Sequence, residues 1–267
     1  MLVLADEELR SIVDAEAFIF QNAYHEAQLD IRYLPERALL KEMLSDSVRC
    51  VITTAKPGGD QDEFLRARKV EAEAVPICTD AIAVVVNKSS GLQRLDLATI
   101  RALLRGDAGT DEGTRYVALV AGNGSGTART LVDSLGLDAN NLRARASANV
   151  AEVVTKVETD PNVCGFVPFA AISDLDNPEM RALRDRVKLL PIARNDTSQA
   201  FLPTQGTLAD GSYPLRRQVY MVLTEAKSGL GTGFVSFVAN HKGQRILLKS
   251  GLAPHKVPAR EVEIVHQ

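Results

Sequence analysis

Residues 121 to 131 read AGNGSGTARTL, with Gly122, Gly124 and Gly126 inside five positions and Ser125 and Thr127 flanking the last of them. A hydrophobic run, Val117-Ala118-Leu119-Val120, comes before, and helical spacing follows. A strand that enters a glycine-rich turn and opens a helix presents unpaired N–H groups and the positive end of the helix dipole to whatever lies in front of it. That is the chemistry of anion binding. Ser125 suits the N-cap, and Ser and Thr hydroxyls can donate to an oxyanion. Spacing removes the nucleotide readings. Thr127 stands where a dinucleotide fingerprint needs glycine, and the loop has no lysine of the kind a P-loop requires. A nucleophile elbow needs glycine two before the serine, and that position is Asn123. An oxyanion site and a serine-capped turn both stay open on this stretch alone.

Other residues that could do chemistry offer less. His25, His241, His255 and His266 are scattered without metal-ligand spacing. Cys50, Cys78 and Cys164 are odd in number, lack a CxxC pair and sit among apolar neighbours. They read as buried free thiols, not as a disulfide framework or zinc site. No histidine lies in a recognisable catalytic setting, so the chain reads as a non-enzyme with no cofactor and no metal. The net charge of -3 in 267 residues gives no basic surface for nucleic acid. No apolar run reaches the length of a membrane span, and the start MLVLADEEL has neither the basic region nor the cleavage site of a signal peptide.

The elements around the loop alternate. Strands are expected at Leu2 to Leu4, Leu29 to Leu34, Cys50 to Thr54, Ala81 to Val86, Val117 to Val120, Gly165 to Val167, Val187 to Ile192 and Gln218 to Leu223, with a last one at Val262 to Val265. Helical spacing covers a stretch from about Glu7, then Glu36 to Leu44, Gln61 to Ala74, a segment through Ile100, Leu103 and Leu104 stopped by Gly106, Ala128 to Leu135, the run with Val150 to Val157, and Gly233 to His241. Asn195 to Tyr213, rich in Thr, Gly, Ser, Asp and Pro, reads as loop. Alternation of this kind predicts βαβ units and parallel pairing. Two such series, with the chain returning at the end, predict two lobes.

Several segments together resemble the phosphate-binding proteins of ABC importers. Gly124-Ser125-Gly126-Thr127 is similar to that family's Ser-Gly-Thr signature, and Thr79 to Asn87 resembles its strand crossing between lobes. Leu95 to Arg101 with Gly106 resembles the helix that follows. DPNVCGFVPFAAI, YPLRRQVYMVL and FVSFVANHKGQRILLKSGLAP resemble later segments in the same order. The resemblance implies an α/β, two-lobed type II periplasmic binding protein fold, with mixed sheets flanked by helices and a ligand cleft between lobes. Lobe I would comprise 1–84 plus 215–267, and lobe II 85–214. It also implies a monomeric, extracytoplasmic solute-binding protein that takes phosphate or a related oxyanion and presents it to ABC transporter membrane subunits. Its location would be periplasmic or lipid-anchored outside the inner membrane, with the export signal outside these residues.

The implied ligand donors are Ser125, Gly126 and Thr127, then Thr53 and Thr54. Asp6 would accept the proton of a monohydrogen phosphate. The family's arginine four residues before the serine is replaced by Ala121. Arg129 either substitutes for it or points elsewhere. Asp6-Glu7-Glu8, Pro35-Glu36 and Thr53-Thr54-Ala55-Lys56 stand where the family offers Ser/Thr, serine and aspartate. Lys56 could supply charge to an oxyanion there, or is an ordinary solvated lysine, the reading preferred here. If the acids line the cleft, a cationic or zwitterionic solute becomes an option. The same fold with a degenerate or non-phosphate pocket, acting as a sensory or surface-interaction module, is the alternative function.

Overall fold

The computed structural model of the chain describes residues 1–45, 48–107, 116–122, 124–225 and 229–257. β1 (Leu2–Asp6) runs into a 3-10 turn, Glu7–Leu9, and then α1 (Arg10–Ala23). β2 (Asp30–Leu34), α2 (Glu36–Glu42), β3 (Cys50–Thr53) and α3 (Asp60–Ala67) lead to β4 (Glu73–Val86). Next come β5 (Leu95–Asp96), α4 (Leu97–Arg105), β6 (Val117–Ala121), α5 (Gly126–Leu135), β7 (Arg145–Ser147), α6 (Val150–Thr159) and β8 (Val163–Pro168). α7 (Pro178–Arg184), β9 (Lys188–Leu189), β10 (Ile192–Ala193), β11 (Ala200–Phe201) and α8 (Gln205–Ala209) precede β12 (Arg216–Leu223). α9 (Leu230–Ala239), α10 (His241–Lys249) and β13 (Ala253–Pro254) end the described chain.

One ten-stranded sheet runs β2-β1-β3-β12-β4-β8-β6-β7, with β13 and β9 also pairing β4. β1 is parallel to β2 and β3, and β6 is parallel to β7 and β8. β4 joins these two parallel halves. Its residues Glu73 to Ala81 pair antiparallel with β12, and Ile82 to Val86 pair antiparallel with β8. The architecture is therefore mixed α/β in two halves, joined by a crossing strand. Helices cover the sheet, which is why β4 from Ala81 to Val86 is a continuous buried apolar run and not an alternating one. One apolar cluster passes through both halves, from Ile12 and Phe234 through Val84 to Phe166 and Leu131.

Four expectations change. The helix expected over Gln61 to Ala74 stops at Ala67, and the strand expected from Ala81 begins at Glu73. Glu71-Ala72-Glu73-Ala74 has helical propensity, but pairing Glu73 to Val75 with Met221 to Leu223 overrides it. Pro76 lies where the β12–β4 register shifts at Val219/Tyr220, so its missing N–H falls at an irregularity in the ladder. The strand expected over Val187 to Ile192 is divided between β9 and β10, which pair in different sheets. The stretch taken as loop contains β11 and α8, the latter opened by a reciprocal Thr204–Thr207 cap. The strand expected at Val262 to Val265 lies outside the described residues.

All three cysteines are free and fully buried, as their apolar neighbours imply. Burial pushes the Cys164 thiol up to about 12. No helix among the described residues is long and apolar enough to cross a membrane.

Candidate oxyanion site between the two sheet halves

The glycine loop leaves β6 and opens α5. Gly122 and Gly124 have φ of 71° and 75°, a region that favours residues without a Cβ. Ser125 is the N-cap, and its side chain accepts from Ala128 N at 3.2 Å. The loop tip meets the first half of the sheet: Arg37 N donates to Gly124 O at 3.1 Å. Gly126 sits in a tight polar cradle. A Cβ there would lie 2.9 Å from both Asp6 Oδ2 and Thr54 Oγ1, and 3.1 Å from Arg217 Nη1. The ends of β1 and β3 and the start of β12 thus converge on the N-terminus of α5.

Two ionic networks flank that point. In the first, Arg217 is fully enclosed. Its Nη1 donates to Glu8 Oε2 at 2.8 Å and its Nε to Asp80 Oδ2 at 2.9 Å. Nη2 is also 2.9 Å from Asp80 Oδ2, in ion-pair range but not aligned as a hydrogen bond. Asp80 Oδ1 accepts from Ala170 N at 2.9 Å. Glu8 Oε2 takes a second donor, Thr127 N, at 3.0 Å. In the second network, Glu36 accepts from Arg129, from Thr54 Oγ1 at 2.5 Å and from Thr53 Oγ1 at 3.2 Å. Arg129 Nη2 donates to Thr54 Oγ1 at 3.0 Å, and Nη1 to Asp133 Oδ2 at 2.9 Å. Both networks cross from one half of the sheet to the other.

Burial, together with the neighbouring Glu8, holds the Asp6 carboxyl well above the usual carboxylate range, against the pull of Arg217. Asp6 Oδ1 caps the turn by accepting from Glu8 N at 3.0 Å. Burial also pushes Glu36 up, but the hydrogen bonds and charge of Arg129, with Thr54, outweigh it and hold that carboxyl below its ordinary value. Burial acts to lower Arg217, yet Glu8, Asp80 and Asp6 raise it on balance. Asp6 Oδ2, Glu8 Oε1 and Thr127 Oγ1 are buried without a hydrogen-bond partner among the described residues. Buried polar atoms are seldom left so, and these sit together at the mouth of a helix N-terminus.

Ser125, Gly126, Thr127, Thr53, Thr54, Arg129 and Asp6 thus come together from distant parts of the chain. Arg129 faces Glu36 and Asp133. Lys56 is exposed over the Tyr220 ring, at 4.9 Å from its centroid, so it is not part of the cluster. Two residues in the cluster were not anticipated as site residues, Arg217 and Asp80. In the sequence each stands directly before a run expected as a strand, Asp80 before Ala81 and Arg217 before Gln218, and in the structure the two are Cα partners across β12 and β4. Arg217 brings a guanidinium beside the start of α5 from another strand. Beside the cluster is an open cavity of about 260 Å³, lined by Glu7, Glu8, Arg10, Gly122 and Asn149 among others. Among the described residues no group of acids, histidines and cysteines has the arrangement of a metal site.

Two parallel sheet halves joined by a crossing strand, with polar groups from both meeting at one helix N-terminus, give a two-lobed α/β architecture. A family model described as a PBP superfamily domain matches residues 2–242, and the chain belongs to that superfamily. Curated relatives include phosphate-binding proteins PstS from Staphylococcus aureus strains USA300 and COL, 22% identical over 195 residues. That alignment covers 69% of this chain and 57% of theirs, so the chain matches little more than half the length of those relatives. Among solved structures, a phosphate ABC transporter substrate-binding protein with bound phosphate from Clostridium perfringens superposes with a TM-score of 0.79 at 19% identity, over 96% of this chain and 99% of that one. An ABC-type phosphate transport receptor from Vibrio cholerae gives 0.74 at 14% identity, over 95% and 99%. The fold is that of these two-lobed proteins.

Proposed function

We propose that the chain is an extracytoplasmic, non-catalytic solute-binding protein that holds phosphate or a related oxyanion between its lobes, for import by ABC transporter membrane subunits. The lobes would be 1–84 plus 215–267, and 85–214. The observation that carries this reading is the convergence on Gly126 of the α5 N-terminus, the Arg217 guanidinium and the Asp6 carboxyl. Together they supply donors for anionic oxygens and one group able to share the proton of a monohydrogen oxyanion. The unpartnered Thr127 Oγ1 and Asp6 Oδ2 fit the same use. Ser125, Thr53 and Thr54 would complete the donor set, and Arg129 would act through Glu36 and Thr54.

The relatives are named as phosphate-binding and phosphate transport proteins, which favours this role over a sensory or surface-interaction module. Closure would be a hinge motion about the crossing strands. Calorimetric titration with phosphate, sulfate, molybdate and amino acids tests the reading. Heat and a thermal shift with phosphate are expected. Silence with every oxyanion, or a response to an amino acid alone, would rule it out.

A further inference from the structure

We infer that Glu8 is an internal occupant of the oxyanion site, a side chain whose carboxylate holds the Thr127 amide and the Arg217 guanidinium in the way an incoming oxyanion would. The inference rests on the proposed function and names the residue that sets affinity at that site.

Four observations carry it. First, Glu8 Oε2 accepts from the two donors best suited to an anion, Thr127 N at 3.0 Å and Arg217 Nη1 at 2.8 Å. One is the amide of the second residue of α5, where the helix dipole is felt most. Second, Glu8 Oε1 is buried without a partner among the described residues, so this arrangement satisfies the donors better than it satisfies Glu8. Third, Glu8 has somewhere to go. It also lines the open cavity of about 260 Å³ with Glu7, Arg10, Gly122 and Asn149. A rotation into that cavity brings its carboxylate towards water and towards the Arg10 guanidinium, which lies over the Tyr33 ring. The side chain belongs to the single 3-10 turn between β1 and α1, so rotation need not disturb a long helix. Fourth, five carboxyl groups, Asp6, Glu8, Glu36, Asp80 and Asp133, face two guanidiniums, Arg129 and Arg217. Adding an anion while Glu8 stays in place would put two negative groups on the same donors. Exchange of Glu8 for the ligand keeps the local charge nearly constant.

The consequence is competition. A ligand must displace Glu8, so the apparent affinity is reduced by the fraction of molecules in which Glu8 occupies the donors. The test uses the whole chain with Glu8→Ala and Glu8→Gln, inorganic phosphate as the titrant, and hydrogen exchange at the Thr127 amide. Phosphate is expected to bind Glu8→Ala on the order of tenfold or more tightly than the parent. Without phosphate, the Thr127 amide should exchange faster in Glu8→Ala, and phosphate should restore its protection. Glu8→Gln, which keeps the size of the side chain, should show a smaller gain and keeps the test readable if Glu8→Ala fails to fold. Weaker phosphate binding in both variants would make Glu8 a ligand-holding group; the inference falls and the proposed function stands. Unchanged Thr127 exchange in Glu8→Ala also overturns the inference. If no form binds phosphate and the Thr127 amide is still released in Glu8→Ala, the phosphate reading falls and Glu8 remains the occupant of those donors.

Discussion

Glu36 and Glu16 are both almost wholly buried in the first half of the sheet and its helices, yet their surroundings are opposite. Glu36 is met by Arg129, Thr53 and Thr54, and these partners hold it below its ordinary value despite burial. Glu16 projects from α1 among Ile12, Val13, Ile52, Ile77, Met221 and Phe234, and neither of its oxygens has a partner among the described residues. Burial alone pushes its carboxyl up to about 9. The same side chain is an anion in one place and a neutral acid in the other. Burial does not decide the charge; the donors brought to it do. Arg129 and Arg217 reach the cleft, and no described donor meets Glu16 in the core under α1.

The comparison can be broken most strongly at Arg217. Removing it leaves Glu8 and Asp80 enclosed without their cation. Arg217→Met is expected to cost about 3 to 5 kcal/mol, read as a lowered denaturant midpoint. A loss under 1 kcal/mol would mean the network is not closed in solution.

Next is Glu16. Its proton is kept by the folded state and released by the unfolded chain, so stability is highest below the ordinary value of 4.5 and is lost as pH rises to about 9. Glu16→Met should abolish that slope and gain roughly 3 kcal/mol at pH 7. Denaturant titrations of both forms across pH 4 to 10 measure it, and parallel curves would show that Glu16 finds a partner in solution.

Smaller effects sharpen the cleft side. Ser125→Ala removes the α5 cap and should cost about 1 kcal/mol by thermal unfolding. Arg129→Met opens the Glu36 network, but the Arg129 side chain is 34% exposed, so solvent screening limits the loss to about 1 kcal/mol or less. Its larger signature would be increased separation of the lobes in small-angle scattering, because Glu36 and Arg129 lie on opposite halves of the sheet.

Much of the fold was legible in the sequence because the signals are local. Alternation placed β2, valine spacing placed α6, and Gly106 with φ of 75° ended α4 where a left-handed cap is needed. The start of β4 was hidden because Glu and Ala favour helix until β12 arrives beside them. At the site, Ser125 and Gly126 could be read from the loop, since glycines and a cap announce a helix N-terminus. Arg217 could not be assigned from its neighbours. Arg216 beside it is exposed while Arg217 is enclosed, and period-two alternation alone does not say which face meets α5.

The sequence by itself determined that the loop is a turn opening a helix, most of the longer strands and helices, and the acids near the starts of the first helices, because each depends on neighbours a few residues away. The tertiary structure decided which charges meet. It brought Glu8, Asp80, Thr127 and Arg217 together across separations of up to 209 residues. It turned Arg129 onto Glu36. An ion pair depends on distance and burial in space, and chain spacing carries neither.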